Sequence, residues 1–425
     1  MKNKKIKANF WMIQRSEPTI VDTGSPRLLR TGIICQMIQS RGHNLTLWTS
    51  TFDHFKRKNR FTKNKLIEAN KDYKIQFLKS FGYKKNFSIR RGIDDYVVSL
   101  NFKKTSKKVV KPNIIFVSMP SIEIAYQATS YAKKNGIPIY VEIRDLWPDI
   151  FYDFSPIYLR PLIFFVNLYY NFKLTYILKN SSGIIGITNS YLEWGLSKIN
   201  KKRSPNDKVF RMSYEPKSQN NNEILKKIFL DKHNIVIEKN TLVVTFIGTM
   251  GKSNNLQSII HAAKNLSSKS LPIVFIIAGS GSELNKIKDE SKDINNIYFT
   301  DWIEKDEIEI LLSISDVGLL PYVDSKNYKL NVPNKPSEYM SRGLVLALSL
   351  SNGEMMELIK DRGIGFTYDS NYMNLVNHLI RLVNNKNLVL EMKRKSLDEF
   401  NQHYRSDKVY NDLIDFLEER MLINE

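Results

Sequence analysis

The sequence predicts an α/β protein built from two doubly wound, Rossmann-like domains. Two features carry that expectation. Short, continuously apolar and β-branched runs recur along almost the whole chain with helix-length segments between them, the pattern of parallel strands covered on both faces. And 425 residues are too many for one ordinary hydrophobic core, so the series must divide. It divides where the pattern lapses into the polar, turn-forming stretch "EPKSQNNNEILKK" from Glu215, which reads as a linker. The first domain is then 1–215, joined by a terminal helix over 405–425, and the second is 216–404.

In the first half the strand candidates are "ANFWMI" from Ala8, "LTLWT" from Leu45, "NIIFVS" from Asn113, "IYVEI" from Ile139 and "GIIGI" from Gly183. The first leads into the long loop "SEPTIVDTGSPRLLRTG" from Ser16, and a strand-to-helix loop of that length points to function. Gly24, Arg27 and Arg30 lie at or near the start of the helix that follows, Arg27 to Ser40, where they can meet an anion. Gly42 of "RGH" is placed to stop that helix. "IYVEI" runs into "RDLWPD", Arg144 to Asp149. Adjacent side chains of an extended chain point opposite ways, so at most one of Arg144 and Asp145 is expected to face a ligand directly. Asp145 reads either as a catalytic acid or base or as a salt-bridge partner that steadies the loop.

The second series is "TLVVTFI" from Thr241, "PIVFIIA" from Pro272, "NIYF" from Asn296, "DVGLL" from Asp316 and "LVLALSL" from Leu344. After its first strand comes "GTMGKS", Gly248 to Ser253, which ends like a phosphate-binding P-loop but has Phe246 where the first glycine must stand. What remains is a glycine loop leading into a helix capped by Asn254, with Lys252 near amides that can take a phosphate. "AGSGSEL" brings Gly279 and Gly281 to the next turn, and "DWIEKDE" offers Trp302 and Ile303 as walls for a flat ring. In "VPNKPSEYMSRG", from Val332, Ser337 reads as an N-cap and Glu338 as a first-turn acid favoured by the helix dipole. The alternative is that Lys335 and Glu338 together face a phosphorylated, hydroxyl-bearing ligand. The last helix, Asp407 to Met421, carries Val409, Leu413, Phe416 and Leu417 on one face.

Composition narrows the class. With 42% hydrophobic and 25% charged residues the chain is a folded globular protein. Its single cysteine, Cys35, excludes an internal disulfide and lies in an apolar series that implies a buried thiol. The histidines are scattered without ligand spacing, so no metal is expected. The amino terminus lacks the apolar core of a signal peptide, and no window reaches the ~20 apolar residues of a membrane span; the expectation is a cytoplasmic protein. The nearest approach to a span, "PLIFFVNLYYNF" from Pro161, is only 12 residues long and suits either a core helix or a segment that inserts into a bilayer. The net charge of +21 is concentrated in clusters at Lys56–Arg60, Lys103–Lys108 and Lys201–Arg203. It calls for an anionic partner or plain solvation. No nucleic-acid-binding motif accompanies it, and an anionic membrane surface is expected in preference to nucleic acid.

Taken together, "RGH" before the second strand, the glycine loop, "AGSG", "SDVGLLPY" and "VPNKPSEYMSRG" resemble the glycosyltransferases of family 4, which have the GT-B fold. "VEIRDLWPD" and "LTLWTSTFDHFKRKNR" resemble the branch of bacterial enzymes that build O-antigen, capsule and other exopolysaccharides. The resemblance spans nearly the whole chain. It implies two Rossmann-like domains facing a cleft, with the C-terminal helix crossing back to the first.

By that resemblance Glu338 binds the ribose hydroxyls of a nucleotide sugar and Lys335 balances its diphosphate. The donor side then comprises Gly248, Thr249, Gly251, Lys252, Gly279, Gly281, Trp302, Ile303 and Glu338. The catalytic group is Asp145, Arg144 and Lys335, with Gly24 and Arg27 in an acceptor-side loop. Three departures stand out: Leu330 takes the place of the family's earlier glutamate, Thr249 and Asn254 replace its usual arginine and lysine, and Ser25 and Pro26 replace its first-loop glycines. The implied activity is retaining transfer of a hexose from a UDP-linked sugar, without metal or cofactor. The implied acceptor is a sugar on undecaprenyl diphosphate at the inner face of the cytoplasmic membrane. The competing expectations are a P-loop-like nucleotide hydrolase and a basic nucleic-acid-binding protein.

Overall fold

The structure is a computed structural model that describes residues 7–24, 27–85, 88–153, 155–215 and 222–422. It divides into two compact units, Met1–Phe210 with Tyr410–Glu425, and Arg211–Val409.

In chain order the first unit contains β1 (Asn9–Ile13), α1 (Arg30–Ser40), β2 (Asn44–Ser50), β3 (Phe52–Asp53), β4 (Lys58–Asn59), β5 (Lys65–Asn70) and β6 (Tyr73–Leu78). There follow α2 (Ile89–Thr105), β7 (Ile114–Ser118), α3 (Ile122–Asn135), β8 (Ile139–Ile143), α4 (Ile150–Asp153), α5 (Arg160–Lys179), β9 (Gly183–Gly186), α6 (Asn189–Ser197) and β10 (Lys208–Val209). The sheet order is β10-β9-β8-β7-β1-β2-β6-β5. Every neighbour is parallel except the edge pair β5–β6. β7 and β8 are buried at every residue, as strands covered on both faces must be. The edge hairpin has no counterpart among the sequence-expected strands, because β5 is mostly exposed and its polar "KLIEAN" does not read as an apolar run.

The second unit contains α7 (Glu223–Lys232), β11 (Leu242–Ile247), α8 (Leu256–Ser267), β12 (Ile273–Ala278), α9 (Leu284–Glu290), β13 (Ile297–Asp301), α10 (Lys305–Ile314) and β14 (Val317–Leu320). It continues with α11 (Lys326–Lys329), α12 (Asn334–Met340), β15 (Val345–Leu348), α13 (Glu354–Arg362), β16 (Gly365–Thr367), α14 (Tyr372–Val383) and α15 (Lys386–His403). Its six-stranded sheet runs β13-β12-β11-β14-β15-β16, parallel throughout. Apolar layers lie on both sides, one against α8 and α14, the other against α10, α12 and α13.

Several local expectations are corrected. α1 begins at Arg30, not Arg27, because the Glu17 carboxylate accepts from the Thr31 amide and so satisfies a first-turn donor there. α8 is capped by Asn255, whose side chain accepts from the Ser258 amide; Asn254 instead donates to the Thr249 carbonyl across the loop. The "EILKK" end of the expected linker belongs to α7, while residues 216–221 lie outside the described residues. Cys35 is buried, and burial raises its thiol pKa far above the ordinary range. Among the described residues no helix is long and apolar enough to cross a membrane.

The terminal helix α16 (Ser406–Leu422) shows what "RGH" does. Gly42 adopts φ +88°, a conformation that glycine tolerates best, and this ends α1 so that its two neighbours can reach α16. Arg41 pairs with Asp415 (2.5 Å) and Glu418 (3.0 Å) and donates to the Asn411 side chain (2.6 Å). His43 Nδ1 accepts from the Ala8 amide, so Nε2 carries the proton and donates to Glu418 at 2.9 Å. Burial alone would raise the Glu418 carboxyl, but the bonds from His43 and Arg41 hold it below the usual range. Phe416 packs edge-on against Tyr140. Replacing Arg41 by Ala removes charge-assisted bonds, and we expect a loss on the order of 2 kcal/mol in chemical denaturation. Faster amide exchange confined to residues 410–422 would accompany it; uniform loosening of the first unit would refute this assignment.

Candidate functional site

In the first unit a pocket of about 360 Å³ opens at the carboxyl ends of β1, β7 and β8, where doubly wound sheets bind ligands. Glu17, His54, Arg91, Arg144, Asp145 and Trp147 are among its lining residues. Arg144 and Asp145 both line it, contrary to the alternation expected of an extended chain, because β8 ends at Ile143 and the backbone turns immediately afterwards. Arg144 is ion-paired with Glu17. The second oxygen of Glu17 accepts from the Thr31 amide at 2.8 Å, so one carboxylate joins the loop after β1, the start of α1 and the loop after β8. Burial pushes the Asp145 carboxyl up to about 6, against the pull of Arg144 and Arg91. His54, which hydrogen-bonds to the Tyr83 hydroxyl at 2.7 Å, is held neutral: burial and then Arg57, Arg91 and Arg15 push it down to about 4.

The walls are held by buried charge. Arg15 is ion-paired with Asp94 and Asp95, and all three are almost fully buried. Asp94 also accepts from the Ser80 hydroxyl and from the amides of Phe81 and Gly82. Arg91 lies 4.7 Å from the Trp147 ring centre, a cation–π contact that fixes the aromatic wall. Asp149 takes the Trp194 indole N–H at 2.8 Å and Lys198 at 2.7 Å, which makes the last acid of "RDLWPD" an anchor for the loop. The long loop after β1 is secured by Arg60, bidentate on Asp22 at 2.5 and 2.7 Å. Lys56 donates to the Thr23 carbonyl, so two members of the first basic cluster hold a loop. Arg30, expected near an anion, is wholly buried against Glu142 (2.7 Å) and the Phe210 carbonyl (3.0 Å). Gly24 and Arg27 are exposed and are not among the lining residues of the pocket.

In the second unit the loop after β11 and the turn after β12 lock together through their backbones. Gly248 N–H donates to Ala278 O and Met250 N–H to Ser280 O, both at 2.9 Å. A Cβ on Gly279 would strike Gly248 O and one on Gly281 would strike Met250 O. Both glycines are therefore required by the loop contact itself. Thr249 and Lys252 are exposed and Gly251 is half-buried. α8 starts only at Leu256, so Lys252 is not the helix-start lysine of a P-loop.

α12 spans Asn334–Met340 with Pro333 at its N-cap. Ser337 is thus inside the helix, bonded back to the Asn334 carbonyl, and Glu338 lies beyond the first turn. The helix is seated by Tyr339, whose hydroxyl accepts from the Ile247 amide at 3.0 Å and whose ring leaves no room for a Cβ at Gly318. Arg342 fixes the other end on Glu309 at 2.5 and 3.0 Å. Lys335 and Glu338, three residues apart, share a face. The Lys335 ammonium lies across Gly248, where a Cβ would collide with it, and 5.6 Å from the Phe246 ring centre. Burial lowers the Lys335 pKa, partly opposed by Glu338, which is itself buried. The Ile303 side chain is buried in the core, while Trp302 is 70% exposed with its indole N–H near Glu304. Trp302 is therefore the exposed ring of that loop.

Residues 228–399, the body of the second unit, match the family model described as Glycosyl transferases group 1. The second unit is a group 1 glycosyltransferase domain, and the chain is a glycosyltransferase. The fold agrees over nearly the whole length with solved GT-B enzymes. HepE of Anabaena, solved in complex with UDP-glucose, matches at a TM-score of 0.64 and 12% identity, over 97% of this chain and 100% of its own. Sucrose-phosphate synthase of Thermosynechococcus elongatus matches at 0.71 and 10%, over 98% and 100%. WaaG, a glycosyltransferase involved in lipopolysaccharide biosynthesis, matches at 0.61 and 12%, over 95% and 98%. No curated protein matches the sequence.

The glycosyltransferase keeps Arg144 with Asp145, and Lys335 with Glu338, as two compact groups. Glu17, His54 and Arg91 went unnoticed in the sequence. Glu17 stands in the loop flagged for its length and His54 in the quoted stretch "LTLWTSTFDHFKRKNR", though neither was singled out there, and Arg91 belongs to no pattern. Among the described residues no group of three His, Cys, Asp or Glu side chains is placed to hold a metal ion. Asp145 supplies a pH test. Its folded pKa of about 6 exceeds the ordinary 3.8, so the native state retains a proton that the unfolded chain has lost. Stability therefore falls as pH rises through that window and stays lower above it. Asp145→Asn should raise stability at pH 7.5 by on the order of 2 kcal/mol while leaving it unchanged at pH 3.5. Thermal denaturation at both pH values checks this; equal stabilisation at both would show that ionisation is not the cause.

Proposed function

We propose that the glycosyltransferase moves a hexose with retention from a UDP-linked sugar to an acceptor sugar. The acceptor is carried on undecaprenyl diphosphate at the inner face of the cytoplasmic membrane, in the synthesis of a bacterial surface polysaccharide such as O-antigen or capsule. The observation that carries the donor assignment is Lys335 beside Glu338. An ammonium whose charge is made costly by burial lies over a glycine loop at the carboxyl end of β11, with a buried carboxylate on the same helix face. A nucleoside diphosphate sugar supplies the missing anion to Lys335 and a ribose diol to Glu338. UDP-glucose in HepE, a protein of similar fold, supports uridine as the base.

In the transfer, the bond from the anomeric carbon to the β-phosphate oxygen breaks and its electron pair stays with the phosphate, where Lys335 stabilises it. The acceptor hydroxyl bonds to the same carbon from the same face, and its proton passes to the departing phosphate. No nucleophilic side chain is required. Arg144 and Asp145 in the first unit orient the acceptor sugar. The second unit serves the donor through Gly248, Thr249, Gly251, Lys252, Gly279, Gly281 and Trp302. With Lys335 as the counter-charge, neither metal nor cofactor is needed.

Glu338→Ala should stay folded and lose about 1.5–3 kcal/mol of nucleotide-sugar affinity, the value of a charged hydrogen-bond partner; unchanged affinity by calorimetry would sink the ribose assignment. Transfer measured by release of UDP should persist in excess EDTA. Abolition by the chelator, with rescue by magnesium or manganese, would show instead that a metal neutralises the diphosphate.

A further inference from the structure

The first half of α5 stands clear of the protein although it is rich in large apolar side chains. Leu162, Phe164, Phe165 and Leu168 are 55–66% exposed, as is Phe172 just beyond them at 69%, whereas the end of the helix buries Leu174, Ile177 and Leu178 in the usual way. α3 packs between α5 and α2. On α2, Ile89, Ile93, Tyr96 and Leu100 form a helical stripe that is also exposed. The two exposed helices approach each other where Tyr170 meets Gly92 and Lys173 lies over the Tyr96 ring. Exposed apolar side chains grouped in this way mark an interaction site.

The charge pattern selects the partner. Every acid on α2, α3 and α5 is buried in an ion pair: Asp94 and Asp95 with Arg15, and Glu123 with Lys173. The exposed charges on these helices are all basic, among them Arg90, Lys103, Lys104, Lys133, Arg160 and Lys179. A second copy would bring like charges together, whereas an anionic lipid surface complements them. Among the described residues no helix is long and apolar enough to cross a membrane, so the surface is suited to lie in the headgroup region.

We propose that the first half of α5 and the exposed stripe of α2 insert into the interface of an anionic bilayer. The face is tied to the pocket by contacting rings, Trp147 to Phe151 at 4.7 Å and Phe151 to Tyr170 at 5.8 Å. Insertion therefore sets the pocket wall at the membrane surface, where a lipid-carried acceptor would be met. That last point rests on the acceptor proposed above; the insertion itself does not.

The test uses the full-length protein with Phe165→Cys carrying an environment-sensitive fluorophore, Cys35 being buried. Vesicles of phosphatidylglycerol and phosphatidylcholine should shift the emission to the blue, and nitroxides on the acyl chains should quench it. Pure phosphatidylcholine should give at least about tenfold weaker binding, as should Lys103→Gln/Lys104→Gln on the anionic vesicles. Leu162→Asp/Phe165→Asp should weaken binding by at least about tenfold through lost apolar burial. The same variant should keep its nucleotide-sugar affinity by calorimetry. Binding without a probe shift, no binding at all, or a lipid-free shift that grows with protein concentration would each overturn the proposal, the last in favour of a second copy. Insertion without nucleotide-sugar binding would reject the proposed activity and leave the surface standing; nucleotide-sugar binding without insertion would do the reverse.

Discussion

Arg30 and Glu142 are held wholly out of water, and the pocket-bearing half of the protein is arranged around that pair. Taking two ions out of water costs several kcal/mol each and is offset only when every remaining bond is made. Here one oxygen of Glu142 takes Arg30 Nε and the other the Ser118 hydroxyl at 2.7 Å. Arg30 adds the Phe210 carbonyl at 3.0 Å and the face of Tyr410 at 5.0 Å. The start of α1, the ends of β7 and β8, the chain after β10 and the terminal helix are thereby fixed to one point. Arg144 and Asp145 follow Glu142 by two and three residues, so their placement depends on the same pair.

The second unit reaches comparable definition with backbone instead of charge. Two loops approach so closely that a side-chain carbon at Gly279 or Gly281 would strike a carbonyl oxygen. α12 is then seated by a tyrosine wedge and an arginine anchor, and its lysine is left over the glycine loop. A cation kept beside apolar Phe246 is poorly solvated. In the proposed function that cost favours an anionic ligand, because a ligand that restores the lost electrostatic solvation is bound more tightly.

The positive charge has two structural destinations. Some of it is internal: Arg15, Arg30, Arg60 and Lys173 each hold an acid, and those acids then contribute nothing to the surface. What remains outside on α2, α3 and α5 is consequently of one sign and lies beside exposed aromatic and aliphatic side chains. Neither fact is visible in a net charge of +21; both follow from which acids the fold buries.

Periodicity and composition by themselves determined the architecture of this protein. The apolar runs at Asn9, Ile114, Ile139, Leu242, Ile273 and Val345 are strands, because a strand covered on both faces is mostly apolar and admits a polar side chain such as Glu142 only with a buried partner. The sequence also pointed to a short helix at Glu338 with Lys335 nearby, but it started that helix after Ser337; only the structure, which starts α12 at Asn334, puts both side chains on one helical face. Tertiary structure decided everything that depended on a distant partner. It placed Arg144 and Asp145 together through the turn after β8 and withdrew Arg30 into an ion pair with a residue far along the chain. It turned "RGH" into a clamp for the terminal helix. And it left the apolar start of α5 in solvent, because whether a hydrophobic helix is covered is a property of what packs against it, not of its own residues.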